Sequence, residues 1–299
     1  MVSLPAPHTP LTLSAAEPLC VIRRLLPGDE RELLAFLGAR PADNAFLLGQ
    51  VARGALADEK VAGTLLGWWQ DGHLTAAACV GSNLVPSHDL PSAAAAAFAR
   101  FVRDSSWVIK VVVGPAESVA RLIAALDLPD EAFALVRPGQ VLLQVDRRTL
   151  DRGARSVELR PAQMVELDVL VAVDLAMARE ELGFDPFSHD LVGYRRGWER
   201  RILEWRAWVA GPVGGPVSFK VDQAAVSDRV VQLAGVYTAP SHRRRGLAHR
   251  AIGEMCHLLL REVPRVTLYV NADNTPALRL YRSLGFYEVG RVQSAWLKT

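Results

Sequence analysis

The 299-residue chain has little of what would commit it to a special environment. It holds three cysteines, Cys20, Cys79 and Cys256. They lie far apart and lack the close spacing of a zinc site or a disulfide framework. No metal site is expected, and the three read as small core residues in a reducing compartment. No charge of one sign dominates, since 34 Lys and Arg face 32 Asp and Glu, for a formal net charge of +2. The arginine pairs (Arg23-Arg24, Arg195-Arg196, Arg200-Arg201) are dispersed, so nucleic acid is not an expected partner. A long apolar run is missing too. The most apolar stretch, Leu74 to Val80, is far too short to cross a bilayer. The N-terminus shows no basic segment followed by an apolar run, so no signal peptide is expected. These absences argue against a membrane partner and place the protein, by expectation, in the cytoplasm.

What is present is a globular composition. Half of the residues are apolar and 22% are charged, as in ordinary soluble domains, and the length suffices for two cores. Residues 1 to 18 carry four prolines and little periodicity, and read as a loose arm. A first series follows over residues 19–150. It contains a strand at Val21–Leu25, a helix at Glu30–Leu37 capped by Asp29, and a hairpin of Thr64–Trp69 and Leu74–Val80. An alanine-rich helix at Pro91–Arg103, a strand at Val108–Val113, a helix at Glu117–Leu126 and a strand at Val141–Val145 complete it. The polar stretch Arg147–Ser156 reads as a linker.

A second series occupies residues 151–299. Its strand at Val157–Arg160 leads to helical regions at Ala162–Leu182 and Asp190–Glu204. Strands at Arg206–Ala210, Val217–Val221 and Val230–Tyr237 precede a helix at Gly246–Val263. A strand at Val266–Asn271, a helix at Pro276–Leu284 and a strand region at Tyr287–Trp296 close the chain. The two series share one order, which predicts a duplicated α/β unit with mixed sheets.

The most informative segment is Val236-Tyr237-Thr238-Ala239-Pro240-Ser241-His242-Arg243-Arg244-Arg245-Gly246-Leu247-Ala248. A strand ends, a short loop follows, and an amphipathic helix begins, with Leu247, Ile252, Met255, Leu259 and Val263 on one face. Gly246 and Ala248 keep the first turn free of bulky side chains. The first-turn amides have no partner inside the helix, and the helix dipole favours negative charge there. Such an end suits a phosphate group. A second segment runs from Val266 through Asn271, Asn274 and Pro276 to Tyr281-Arg282-Ser283-Leu284-Gly285-Phe286. Asn274 is placed to cap the helix that Pro276 opens, and Gly285 to end it.

Together these segments resemble the GNAT N-acetyltransferase superfamily. Arg243 to Ala248 matches its Arg/Gln-x-x-Gly-x-Gly/Ala loop, and Tyr281 to Phe286 its Tyr-x-x-x-Gly-Phe signature. The whole chain also looks like tandem GNAT proteins, in which a degenerate first half precedes an intact second. Gly81–Pro86, Glu180–Gly183, Ser218–Lys220 and Leu268–Asn271 carry that likeness. The resemblance implies acetyl-CoA as co-substrate, with its pyrophosphate on Arg243, Arg244, Arg245, Gly246, Leu247 and Ala248. It implies that Val236, Tyr237 and Thr238 line the pantetheine arm, with Asn271 and Asn274 nearby, and that Tyr281 protonates the leaving thiolate. The acceptor is expected to be a primary amine of a small molecule, peptide or protein. A glutamate on the central strand is absent, because Gln232 stands there. Glu180 and Glu181 are the candidate carboxylates for the proton of the amine, with Asp185 and His189 following. The first half lacks the loop, so one coenzyme per chain is expected. That half is left to cover the second, shape the acceptor channel or oligomerise, a homodimer included.

Overall fold

Apolar runs in the middle of the chain become strands covered on both faces. In the third strand, Ala76, Ala78 and Val80 pack into one core cluster while Ala77 and Cys79 pack into another. Side chains alternate across a sheet, so two helical layers can be served by one strand. The computed structural model describes residues 19–58, 63–151, 153, 159–185 and 190–298. The expected N-terminal arm, Val157, His189 and part of the expected linker lie outside them.

The first half contains β1 (Cys20–Arg24), α1 (Glu30–Gly38), α2 (Ala45–Ala52), β2 (Thr64–Gln70), β3 (His73–Val80), β4 (Asn83–Pro86), α3 (Ser92–Asp104), β5 (Val111–Pro115), α4 (Ala116–Leu126) and β6 (Phe133–Asp146). The second contains β7 (Leu159–Pro161), α5 (Leu167–Leu182), α6 (Leu191–Leu203), β8 (Ala207–Ala210), β9 (Phe219–Val226), β10 (Val231–Thr238), α7 (Leu247–Leu259), β11 (Arg265–Val270), α8 (Thr275–Ser283) and β12 (Tyr287–Leu297). The two orders match element for element. The duplicated mixed α/β unit expected from the sequence is therefore the architecture.

The strands do not form two separate sheets. Their order is β1-β2-β3-β4-β5-β12-β6-β11-β10-β9-β8-β7, a single sheet of twelve strands. The last strand of each half completes the other half. β6 runs antiparallel to β11, from Val141 opposite Val270 to Asp146 opposite Arg265. β12 runs antiparallel to β5, with Val292 opposite Pro115 and Trp296 opposite Val111. The exchanged strands then pair with each other at the centre. Helix α2 of the first half lies on β9 of the second. A Cβ on Gly49 would stand 2.9 Å from the Ala225 Cβ and 3.1 Å from the Val226 nitrogen, so glycine sets that approach.

Three local readings change. Helix α2 and strand β4 were not expected as elements. β6 begins at Phe133, well before Val141. Its early half alternates between half-buried and exposed residues and contains Pro138-Gly139, which hides the strand in the sequence. Asp29 stands at the N-cap of α1 without capping it through its side chain. Its carboxylate instead accepts from the Leu26 amide at 2.9 Å and pairs with Arg23 at 2.7 Å. Among the described residues, no helix is long and apolar enough to cross a membrane.

Candidate active site

The site begins where two parallel strands part. β10 and β11 share two rungs, Val231 with Val266 and Gln232 with Thr267. Beyond them β10 continues on β9 alone. Its pairing shifts between Ala234 (opposite Asp222) and Tyr237 (opposite Lys220), so Gly235 and Val236 form a bulge. Gly235 has φ +58°, and a Cβ there would lie 2.6 Å from both the Lys220 Nζ and the Asp222 Oδ2. Only glycine fits that backbone and that space. The bulge and the parting strands open a cleft edged by Val236, Tyr237 and Thr238.

The loop after β10 leads into α7. Gly246 is the N-cap residue, in the left-handed region at φ +72°, and Arg244 shares that region at φ +60°. His242 and Arg243 amides donate back to Ala239 and Pro240, and the helical ladder resumes with Arg250 donating to Gly246. Between them, the amides of Arg244, Arg245, Gly246, Leu247, Ala248 and His249 have no acceptor among the described residues. A run of such donors at a helix N-terminus forms an anion cradle. Ala251, Ile252, Met255 and Cys256 anchor the helix in the core beneath.

The three arginines are placed differently. Arg243 folds back, donating from Nε to the Thr238 carbonyl at 3.0 Å and pairing with Glu180 at 3.1 Å. Its guanidinium lies 5.9 Å from the Tyr237 ring centre. Arg245 offers its carbonyl to Arg250 at 3.1 Å. Thus Glu180, at the end of α5, is engaged by the loop, and Arg243 holds its carboxyl below the ordinary range.

Its neighbour Glu181 is set apart. As a residue Glu181 is exposed. Protein packed around its carboxyl nevertheless raises its pKa, with the Arg137 charge opposing the rise. Arg137, from exchanged strand β6, donates to the Glu181 carbonyl. Phe184, just beyond α5, meets Trp296 of β12 edge-on at 6.3 Å. The exchanged strands therefore pack against the C-terminal end of α5.

Tyr281 on α8 is 6% exposed and packs on Phe286 at 5.7 Å. Its hydroxyl has no hydrogen-bond partner among the described residues. Burial, and then the nearby Glu181 charge, push its pKa well above the ordinary phenol value. Asn274 caps α8 by accepting from the Ala277 amide at 3.2 Å. Asn271 is bound otherwise, accepting from Gln140 at 2.9 Å, while Gln140 accepts from Ser294 at 3.0 Å. Gly285 ends α8 at φ +91°, where any Cβ would strike the Thr149 carbonyl oxygen.

One cluster was not anticipated. Lys220 is fully buried and donates to Asp174 at 2.8 Å, Asp222 at 3.0 Å and the Gly235 carbonyl at 3.0 Å. Tyr194 donates to Asp174, and the Trp198 ring centre is 4.9 Å from the Lys220 Nζ. The signal lay in Phe219-Lys220-Val221-Asp222, two opposite charges on one face of a strand.

This geometry defines the fold. The chain has the GNAT fold in tandem, with the Arg243–Ala248 loop in its second half. The family match lies there as well: residues 223–297 fit the FR47-like protein family. Residues 63–170 fit a domain of unknown function (DUF4081). Over 78 residues the chain is 41% identical to a mycothiol acetyltransferase of Brachybacterium faecium, covering 26% of this chain and 24% of that protein. The match thus spans about a quarter of that relative. Among solved structures, a tandem GNAT protein from the clavulanic acid biosynthesis pathway aligns over 93% of this chain and 99% of its own, with TM-score 0.53 and 13% identity. A GCN5-related N-acetyltransferase from Sphaerobacter thermophilus aligns over 92% and 94%, with TM-score 0.54 and 16% identity. At these identities the structures speak for the fold alone.

Proposed function

We propose that the chain is an acyltransferase of the GNAT type that moves an acetyl group from acetyl-CoA to a primary amine by direct attack. The observation that carries this reading is the run of amides from Arg244 to His249 without a partner among the described residues, at the start of the helix that follows β10 where it has parted from β11. Glycine at 246 leaves no Cβ over the cradle, so the backbone can approach a pyrophosphate closely. Arg244 and Arg245 add positive charge, while Arg243 braces the loop through Glu180. The edge of β10 from Val236 to Thr238 accommodates the extended arm between loop and cleft.

Each chemical step then has a group in place. An amine that is protonated at neutral pH must lose a proton before attack. Glu181 suits that task better than Glu180: its pKa is raised rather than lowered, and no ion pair from the described residues occupies its carboxylate. The carbonyl oxygen that gains charge needs a fixed donor, which the bulge at Gly235-Val236 supplies from backbone. The departing thiolate needs a proton. Tyr281 keeps its own at neutral pH, because its pKa is raised, and no acceptor among the described residues competes for it.

A second reading is an acyl-CoA sensor without turnover. It is favoured by Gln232, which stands on the central strand and cannot accept a proton. Thioester consumption measured against a panel of amines separates the two. The acetyltransferase reading expects turnover with at least one amine. In Tyr281→Phe we expect roughly a hundredfold lower kcat with coenzyme affinity unchanged within about twofold. An unchanged kcat removes Tyr281 from the acid role. Coenzyme binding with no thioester cleavage by any amine favours the sensor.

A further inference from the structure

We infer that Lys220 is a positioning residue that aims the Val236 amide into the cleft, through its grip on the Gly235 carbonyl. The inference rests on the proposed acetyltransferase chemistry, in which that bulge supplies the donor to the reacting carbonyl.

Planarity of the peptide unit sets the direction. The Gly235 C=O and the Val236 N–H belong to one such unit, and in a trans peptide they point in opposite directions. Lys220 Nζ donates to the Gly235 oxygen at 3.0 Å and so fixes the direction of that carbonyl. The Val236 N–H is thereby turned away from the lysine. Lys220 and Asp222 occupy the face of β9 that meets Asp174 of α5 and Trp198 of α6. Val236, by contrast, packs against the core that contains Tyr281. The amide therefore faces the side on which α8 presents its tyrosine. A cation on the carbonyl also polarises the whole peptide unit, which makes its N–H a stronger donor.

The lysine is held in turn. Burial alone would lower its pKa, but the Asp222 and Asp174 charges outweigh that and leave it raised, so it stays an ammonium. Asp174, Asp222 and the Gly235 carbonyl match its three N–H donors. Tyr194 fixes Asp174 and Arg201 approaches Asp222 at 3.8 Å. A buried, fully donating lysine is costly to build, and a simple apolar contact would pack β9 against α5 at less cost. What the ion cluster adds is control of one carbonyl in a strand that is otherwise free on that bulge. Gly235 is part of the device, since a Cβ would stand 2.6 Å from both charged partners.

The test uses the full-length protein with acetyl-CoA carrying 13C at the thioester carbonyl. In wild type, the carbonyl stretch of the bound molecule should shift to lower frequency than in water. In Lys220→Met most of that shift should be lost, kcat should fall by about tenfold to a hundredfold, and KM for acetyl-CoA should stay within about twofold. If the two aspartates left unpaired in Lys220→Met prevent folding, the neutralised variant Asp174→Asn/Lys220→Met/Asp222→Asn takes its place with the same expected results. An equal carbonyl shift in the folded variant and wild type overturns the inference while leaving the acetyltransferase reading intact. No binding of acetyl-CoA by wild type overturns that reading itself.

Discussion

The two halves of the chain carry the same elements in the same order, yet only one of them has an open fork. In the first half β4 and β5 share two parallel rungs, Asn83 with Val111 and Leu84 with Val112. That is the pattern of β10 and β11. Beyond those rungs the halves diverge. β4 stops at Pro86, and a Cβ on Gly114 would stand 3.2 Å from the Pro86 oxygen, so the strands stay in contact. The chain then turns inward. Ser87 exchanges hydrogen bonds with Ala77, and His88 donates to the buried Asn44 at 3.1 Å. Where the second half presents free amides, Leu90 is fully buried, its amide donates to Ser118 at 3.2 Å, and Pro91 caps α3 without a donor to offer. The same scaffold runs into its helix through a buried leucine and a proline in one half and through a bulge and a glycine in the other. A handful of residues just past the two parallel rungs thus separates the two halves.

The strongest test of that comparison acts at the helix ends. Asp127 and Gly285 occupy corresponding positions after α4 and α8, both with positive φ, at +52° and +91°. Nothing obliges residue 127 to be small, but Gly285 faces the Thr149 carbonyl at the seam between the halves. Gly285→Ala should cost roughly 3–5 kcal/mol, from left-handed strain plus overlap, and lower Tm by about 10 °C. Asp127→Gly should change stability by less than about 0.5 kcal/mol. Thermal unfolding of both variants checks the pair. Equal losses would mean that the two ends are not differently loaded.

The coenzyme stoichiometry comes next. Calorimetric titration with coenzyme A should find one site per chain. Gly246→Val puts a β-branched residue at φ +72° and brings its Cβ to 3.0 Å from Arg250. Either the loop keeps its shape under strain of about 1–3 kcal/mol, or it relaxes and scatters its amides. Affinity should fall by roughly tenfold to a hundredfold. Two sites in the wild type, or unaltered affinity in the variant, would break the assignment of the open half.

Much of this contrast was legible in the sequence, and the part that was not has a common cause. The loop, the α7 face from Leu247 through Ile252 and Met255 to Leu259 and the Asn274 cap are local, written in neighbouring residues, and they stand where expected, although α7 ends at Leu259 and leaves Val263 beyond it. Strand exchange is not local. The apolar run at Val141–Val145 announces a buried strand but not which strand lies beside it. The Lys220 cluster was missed because Asp174, Tyr194 and Lys220 come together only when α5, α6 and β9 pack. Asp29 misled for a related reason: two competing donors, Arg23 and the Leu26 amide, take the carboxylate that a cap would use. The influence of the Glu181 charge on Tyr281 likewise links residues a hundred positions apart, which only the tertiary fold brings within range.

The smallest expected effect concerns the two adjacent glutamates, which separate stabilising the loop from handling a proton. Glu181 has a raised pKa in the folded protein, so the native state holds that proton more tightly than the unfolded chain. Its contribution to stability is present below the unfolded carboxyl value and is lost as pH rises through the folded one. Catalysis through its carboxylate runs the other way, with activity appearing as pH rises through the same range. The kcat/KM profile of wild type should therefore show an acid limb displaced above the ordinary carboxylate value. Glu181→Gln should lower activity and flatten that limb. Glu180→Gln should leave the limb in place and, with an exposed ion pair removed, weaken coenzyme binding by no more than about fivefold. A limb that follows Glu180 instead would reverse the two roles, and one that survives both substitutions would put the base on another group or on water.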